Sequence, residues 1–508
     1  MSKNKKNEGE KERGDEFLYE RELTPEEVEE FIRRMEKEEN EEEDEEDDPY
    51  YGEWEEILEQ LREEQMKDQE EENDDIGFEP GHEKAADRKF FLITSESVDE
   101  GHPDKLADRI SDAILDEALK QDENAHVHVE TLISPDLVVV SGEISARAYF
   151  RQLPVEDIVR QVIRDVGFGE AETGFDLEKC RIITHIVTNT DQKPNPGNDS
   201  PDSESDAFKV NDQCLVFGYA VRETPELMPL PIALANQIMM KASQLRRSGE
   251  APWLLPGGKV QVTVRYVLNE KKDYRSGWED VTSDFCSSNI LRPARVEKIV
   301  MSLPVKRNAS REQMRKIVIG GILRAVIPFQ FYPSRSFEKI CEINFLDESF
   351  WRRPAHRIGH SGRQTLTDSY GGICRPGSGG LSGKDPGHIE RSGSYIARYI
   401  AKNIVAAGLA TECTVQLGYV MGRDEPWLIE VDTHATSSLS ATSLQMAIRK
   451  IFPLKPSEII KELKLNRPIY QKTSAFGHFG RELPEFLWEH CDRRDALLVY
   501  FQDELADC

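Results

Sequence analysis

Paired cysteines are missing from this sequence. Its eight cysteines stand singly and none forms a Cys-x-x-Cys motif. This removes the usual sequence basis for a disulfide framework and fits free thiols in a reducing compartment, so a cytoplasmic location is expected. Long apolar runs are missing as well. No stretch approaches the about 20 residues of a membrane-spanning helix, and none resembles a secretory leader. Positive charge is scarce, with 65 Lys and Arg against 95 Asp and Glu and a formal net charge of -30. That balance opposes nonspecific attraction to nucleic acid or anionic membrane, so neither partner is expected. It leaves a nucleotide open, because a few local lysines decide that.

The 508 residues are 38% hydrophobic, enough for about three cores of ordinary domain size. The acid is unevenly placed. Most of the excess precedes Phe90, and Glu39 to Asp48 is broken only by Asn40. Such a block repels itself, so residues 1–89 are expected to be an acidic, partly helical or disordered extension. Thr24-Pro25-Glu26-Glu27 has the form of a helix start, with a cap, a proline in the first turn and a capping-box glutamate. Val28, Phe31, Ile32 and Met35 then share a face, and Trp54, Ile57, Leu58 and Leu61 form a second stripe. Either could dock on the main body or on a protein partner.

After Phe90 the hydrophobic pattern predicts an α+β chain. Helices are expected near 103–119, 154–166, 230–246, 310–324, 389–407 and 438–451. Strands are expected near 126–133, 137–145, 180–188, 259–267, 412–421 and 427–432. Close succession of strands argues for mixed or antiparallel sheets with helices on one face. The polar stretch 189–211 reads as a mobile loop.

The most informative motif is Gly101-His102-Pro103-Asp104-Lys105, between the apolar run Phe90 to Thr94 and a helix carrying Leu106, Ile110, Ala113 and Ile114. A helix start favours anions, Lys105 adds positive charge, and Asp104 suits a hard divalent cation. The combination reads as a site for a metal-bound polyphosphate. Gly377 to Asp385 supplies a glycine-rich approach with Lys384, and its spacing is not that of a Walker A loop. Arg363 can grip phosphoryl oxygens through its guanidinium fork. Lys259 opens a strand after Pro256-Gly257-Gly258. Glu130 and Glu143 lie within strand-like runs, where a buried carboxylate would need a partner; the alternative is that both face water. Asp212 precedes the apolar run Cys214 to Tyr219.

These strings are similar to those of the methionine adenosyltransferase, or S-adenosylmethionine synthetase, family. The resemblance runs from Thr94-Ser95-Glu96-Ser97-Val98-Asp99-Glu100 and Gly101-His102-Pro103-Asp104-Lys105 through Glu223-Thr224-Pro225-Glu226-Leu227-Met228-Pro229. It continues through Asp368-Ser369-Tyr370-Gly371-Gly372 and Ser382-Gly383-Lys384-Asp385-Pro386 to Ala475-Phe476-Gly477-His478-Phe479-Gly480-Arg481. It spans almost all of 90–490 and omits the extension. It implies three similar sheet-and-helix domains with pseudo-threefold symmetry, here 90–205, 206–350 and 351–508. It further implies a homodimer or homotetramer with sites between subunits. The implied reaction joins methionine sulfur to C5′ of ATP, displaces tripolyphosphate, and hydrolyses it to pyrophosphate and phosphate, with Mg2+ and K+ as cofactors.

By the same resemblance, His102 stabilises the departing polyphosphate, which Lys105, Lys259, Arg363 and Lys384 grip, with Lys259 nearest the reacting centre. Asp104 and Glu390 stand at the magnesium-ligand positions, with Glu390 replacing the usual aspartate, and Glu130 at the potassium site. Glu143 receives the methionine amino group, Asp212 lies near methionine and the sulfonium, and Asn189 stands where a methionine-binding glutamine is usual. Several positions depart from the pattern. Gly257 and Arg357 replace carboxylates, Gln364 and His388 replace lysines, and Asn211-Asp212-Gln213-Cys214 replaces Gly-Asp-Gln-Gly. Phe350 is one candidate for the adenine-stacking aromatic. Besides the synthetase reading, an enzyme of altered nucleotide or thioether substrate and a non-catalytic binding or regulatory subunit therefore remain as alternatives.

Overall fold

The computed structural model describes residues 90–134, 136–147, 151–168, 177–189, 210, 212–268, 291–306, 310–332, 337–346 and 358–502. The two stripes of the extension, almost all of the 189–211 segment, Phe350 and Arg357 lie outside the described residues.

Three α+β layers repeat one plan, a sheet backed by a long helix. The first sheet has the order β4-β3-β2-β9, from strands Arg181–Asn189, Leu137–Ser145, His126–Ser134 and Gly359–His360. It rests on helix α1, Pro103–Gln121. The second has the order β1-β6-β7-β8, from Phe90–Val98, Lys259–Leu268, Leu291–Pro304 and Cys341–Leu346. It rests on α3, Leu230–Ser248. The third has the order β11-β10-β5, from Leu428–Asp432, Glu412–Tyr419 and Cys214–Val221, and packs on α5, Ile389–Ala406. A shorter helix, α2 (Val155–Val166), packs beside α1, and α4 (Arg311–Ile317) beside the second sheet's layer.

Local chemistry accounts for these elements. In α1, Pro103 occupies the first turn, the His102 ring accepts from the Asp104 N–H, and Lys120 lies in the last turn. Each choice suits the helix end it occupies. Leu106, Ile110 and Ile114 are buried, as their spacing predicts. In β2, Val127, Val129, Thr131 and Ile133 point inward, while His126, His128, Glu130 and Leu132 lie on the other face.

No sheet is confined to one third of the chain. β1 precedes α1 in sequence yet pairs with β6 over its full length. β5 completes the third sheet against β10. β9 returns to the first, where Leu132 faces His360. Each layer thus lends a strand to another. Hydrogen bonds between strands therefore cross the expected segments 90–205, 206–350 and 351–508.

The helix expected at 310–324 begins as α4 and continues as a π-helix, Val318–Leu323, across Gly320-Gly321. Such wider turns occur mostly as short interruptions within α-helices. Strands β7 and β8 were not anticipated, nor were the later helices Pro456–Glu462 and Arg494–Tyr500. No helix among the described residues is long and apolar enough to cross a membrane.

Candidate active site

Strand β1 delivers the first set of groups. Past its end, Asp99 Oδ1 accepts from the N–H groups of Gly101 (2.8 Å) and Gly257 (2.7 Å), which ties the Gly101 turn to the loop before β6. A Cβ at Gly101 would lie 2.3 Å from the Pro256 side chain, so the close approach requires glycine. Lys259 opens β6 opposite Val98, and its ammonium lies 2.8 Å from Glu96. Burial would raise the Glu96 carboxyl, but Lys259 and Gln261 outweigh it and hold the group below its ordinary value.

His102 caps α1 through Nδ1, which accepts from the Asp104 N–H at 3.3 Å. Burial is the largest influence on its ring and, aided by Lys259 and Lys105 against Asp104, lowers its pKa to about 4. At neutral pH the ring is uncharged, and this assigned cap leaves the proton on Nε2. His102 is therefore set up to donate one hydrogen bond rather than to carry a charge.

Asp104 is nearly buried. Its carboxylate accepts from the His360 N–H at 3.1 Å and from Gln364 Nε2 at 2.8 Å, and it lies 3.6 Å from Arg363. Lys105 is expected from the sequence to grip polyphosphate. It is fully buried, and its ammonium is taken by Asp108 at 2.8 Å and by Asp368. Burial opposes the charge, yet these two carboxylates hold Lys105 above its ordinary value. The residue fastens α1 to the short helix Thr365–Asp368 and presents no free charge to a ligand.

The second set lies on β2, β3 and the glycine-rich loop. His128 forms a backbone bridge with Lys384, and the Gly383 carbonyl accepts from the Val129 N–H. Gly383 has φ +81°, and a Cβ there would meet the Val129 carbonyl at 1.9 Å. Beneath the loop, buried Arg391 donates to Asp112 and to the Lys384 carbonyl, both at 2.8 Å. Lys384 is thus fixed from below, with its ammonium 3.3 Å from Glu390. Burial raises the Cys214 thiol to about 12, with Glu390 and Asp212 adding to it and Lys384 opposing. Asp212 is exposed two residues before Cys214, just ahead of β5.

Glu130 is exposed, and His128 Nε2 and His360 Nε2 lie 3.7 and 3.6 Å from its carboxylate. Glu143 is exposed directly across from His128, and Asn189 pairs in register with Ser145. Glu130, Glu143 and Asn189 consequently occupy one open sheet face. Neither glutamate is the buried strand carboxylate that would have required a partner. His388 stacks edge-on to His128 with ring centroids 5.1 Å apart. Burial disfavours its charged form, but Asp385, 3.1 Å from Nδ1, holds it above its ordinary value.

The two sets are joined through His360, whose backbone serves Asp104 and whose ring faces Glu130. Neither this link nor the roles of Glu96 and Gln364 was read from the sequence. Glu96 lies within the Thr94 to Glu100 string, and only the pairing of β1 with β6 brings it to Lys259. Among the described residues no group of three or more His, Cys, Asp or Glu is placed to hold a metal ion. Separate carboxylates at Asp104 and Glu390 still suit Mg2+, which commonly takes one or two protein carboxylates and completes its shell with phosphate and water. Glu130 offers the oxygens that K+ prefers, with the two imidazoles as competing neighbours.

Comparison with known proteins gives a consistent result. Family descriptions match in order. The S-adenosylmethionine synthetase N-terminal domain matches residues 90–191, the central domain 207–344 and the C-terminal domain 352–490. The S-adenosylmethionine synthase of Wolinella succinogenes is 42% identical over 416 residues, covering 82% of this chain and 99% of that protein. The synthase of Nitratiruptor sp. is 41% identical over 412 residues, covering 81% and 98%. That of Helicobacter pylori is 39% identical over 413 residues, covering 81% and 99%.

Proposed function

Because the chain belongs to the S-adenosylmethionine synthetase family, we propose that it forms S-adenosylmethionine from ATP and L-methionine. The observation that carries this reading is the convergence of Lys259, His102, Asp104 and Arg363 at the β1–α1 junction, linked through His360 to the Glu130 and Lys384 set. A displacement at carbon that expels a polyphosphate needs cationic grips and hydrogen-bond donors on one side. It needs carboxylates near the nascent sulfonium on the other.

The methionine sulfur lone pair forms the bond to C5′ of ATP. The C5′–O bond breaks, and its electron pair leaves with the tripolyphosphate. Water then divides that product into pyrophosphate and phosphate. His102 Nε2–H donates toward the departing oxygen, while Lys259, Arg363 and Lys384 hold the leaving charge. Glu143 and Asn189 orient the amino acid, and Asp212 faces the sulfonium. Asp104 and Glu390 would hold magnesium, which would further neutralise the polyphosphate when bound. Glu130 is assigned to a stimulatory K+.

A homodimer or homotetramer completes this proposal. Leu132, Ile183 and Val187 remain exposed on the open face that carries Glu130 and Glu143, as a surface awaiting a second copy would. The described cysteines are free thiols, most of them buried, which supports the cytoplasmic assignment. The test is turnover by purified protein with ATP, methionine, Mg2+ and K+, read by mass spectrometry of the sulfonium product. Its repeated absence, from protein shown to be folded, overturns the proposal.

A further inference from the structure

We infer that Gln364 is a positioning residue for Asp104, setting that carboxylate to take the divalent cation that accompanies the polyphosphate; the inference rests on the reading of Asp104 above. Gln364 Nε2 donates to Asp104 Oδ2 at 2.8 Å. The other end of the amide is fixed too. The buried Thr367 hydroxyl lies 3.4 Å from Gln364 Oε1 and 3.2 Å from the Glu96 carbonyl, a donation shared between them. The backbone is anchored where the Asp368 N–H donates to the Gln364 carbonyl at 2.9 Å, and the Asp368 side chain holds Lys105 beneath. One amide thus connects β1, the short helix Thr365–Asp368 and the start of α1.

Charge is what makes glutamine informative here. A carboxylate has roughly four acceptor positions. The His360 N–H occupies one on Oδ1 and Gln364 one on Oδ2. Both oxygens retain capacity for a metal, and their plane is fixed by two neutral donors. The lysine that Gln364 replaces would place a like charge beside the cation, whereas the amide orients the carboxylate without adding charge. Arg363 stays farther off, at 3.6 Å with an exposed side chain, and is available to the phosphates. Orientation by a neutral outer donor is the usual means of tuning a metal ligand.

The test uses the full chain, Mn2+ as the paramagnetic probe and the β,γ-imido analogue of ATP, without methionine. Mn2+ affinity is read by electron paramagnetic resonance. Q364A is expected to weaken it about tenfold or more, with unfolding temperature and metal-free nucleotide affinity little changed. Thr367→Val, which removes the hydroxyl at nearly constant shape, should weaken it in the same direction by a smaller factor. Unchanged Mn2+ affinity in Q364A overturns the inference. So does an equal loss of metal-free nucleotide affinity, which would make the residue a direct nucleotide contact. If Q364A does not fold, Thr367→Val decides by the same two outcomes. A wild-type chain that binds Mn2+ with the nucleotide yet forms no sulfonium product fails the proposed activity and leaves this inference standing.

Discussion

Lys259 and Lys105 show how burial divides one residue type between two roles. Lys259 is half-exposed, and its ion pair among the described residues is with Glu96, so its removal costs little in folding. Lys259→Ala should reduce turnover tenfold or more, equivalent to about 1.4 kcal/mol or more of transition-state stabilisation, with a nearly unchanged unfolding midpoint. Lys384→Ala should behave similarly, with a larger effect on polyphosphate binding. Near-wild-type rates in both variants would refute their assigned roles. Lys105→Ala should do the opposite and act mainly on stability. It strands Asp108 and Asp368 in the interior, and breaking such a pair typically costs about 3–5 kcal/mol. Denaturant unfolding of Lys105→Ala beside Lys259→Ala measures the contrast, and equal midpoints would show that Lys105 is not the fastener described here. Both lysines follow small-residue or helix-start motifs, so their types and positions were legible. Which one is buried was not, because Asp368 lies 263 positions away from Lys105.

At the scale of elements, α5 is almost wholly buried and carries its own charges inward. Arg398 donates to both carboxylate oxygens of Glu489, at 3.2 and 2.9 Å, and Lys402 adds a third bond at 2.9 Å. These contacts clamp the chain's later segment onto the helix. Burial alone would raise the Glu489 carboxyl, but Arg398 and Lys402 outweigh it and hold it below its ordinary value. A depressed folded-state pKa contributes stability that is present above the unfolded value and is lost as pH falls through the folded one. The wild-type unfolding midpoint should therefore fall as pH drops below the ordinary glutamate value of about 4.3. Glu489→Gln should be less stable at neutral pH and less sensitive to pH across that acid range. Parallel acid limbs in the two proteins would contradict this account. The period of α5 was legible as a helix. Its inward charges were not, since a helix with Arg391, Arg398 and Lys402 reads as partly solvated until both its neighbours are known.

At the scale of the molecule, the exchanged strands and the open face of the first sheet set the expectations. Light scattering should give a mass of two or four times the 58.0 kDa chain, and a stable monomer at turnover concentrations would oppose a shared site. All the assigned chemistry follows Phe90. Removing residues 1–85 should leave the fold and at least part of the turnover intact, as circular dichroism and product formation would show. Loss of cooperative unfolding together with all activity would make the extension structurally required.

The sequence by itself determined the local content: the α1 start at Pro103, the alternation of β2 and β3, the long helices, and the residue types suited to a polyphosphate. Those features depend on neighbours a few positions apart, where capping and hydrophobic period act. Only the tertiary structure decided that β1, β5 and β9 cross between layers, because strand pairing depends on hydrogen bonds between distant segments. The same distance dependence set Glu96 against Lys259, Gln364 against Asp104 and Lys105 in the interior. Whether a charged side chain serves a ligand or holds the fold is settled by what surrounds it after the chain has closed, since burial and opposite charge act through space and not along the sequence.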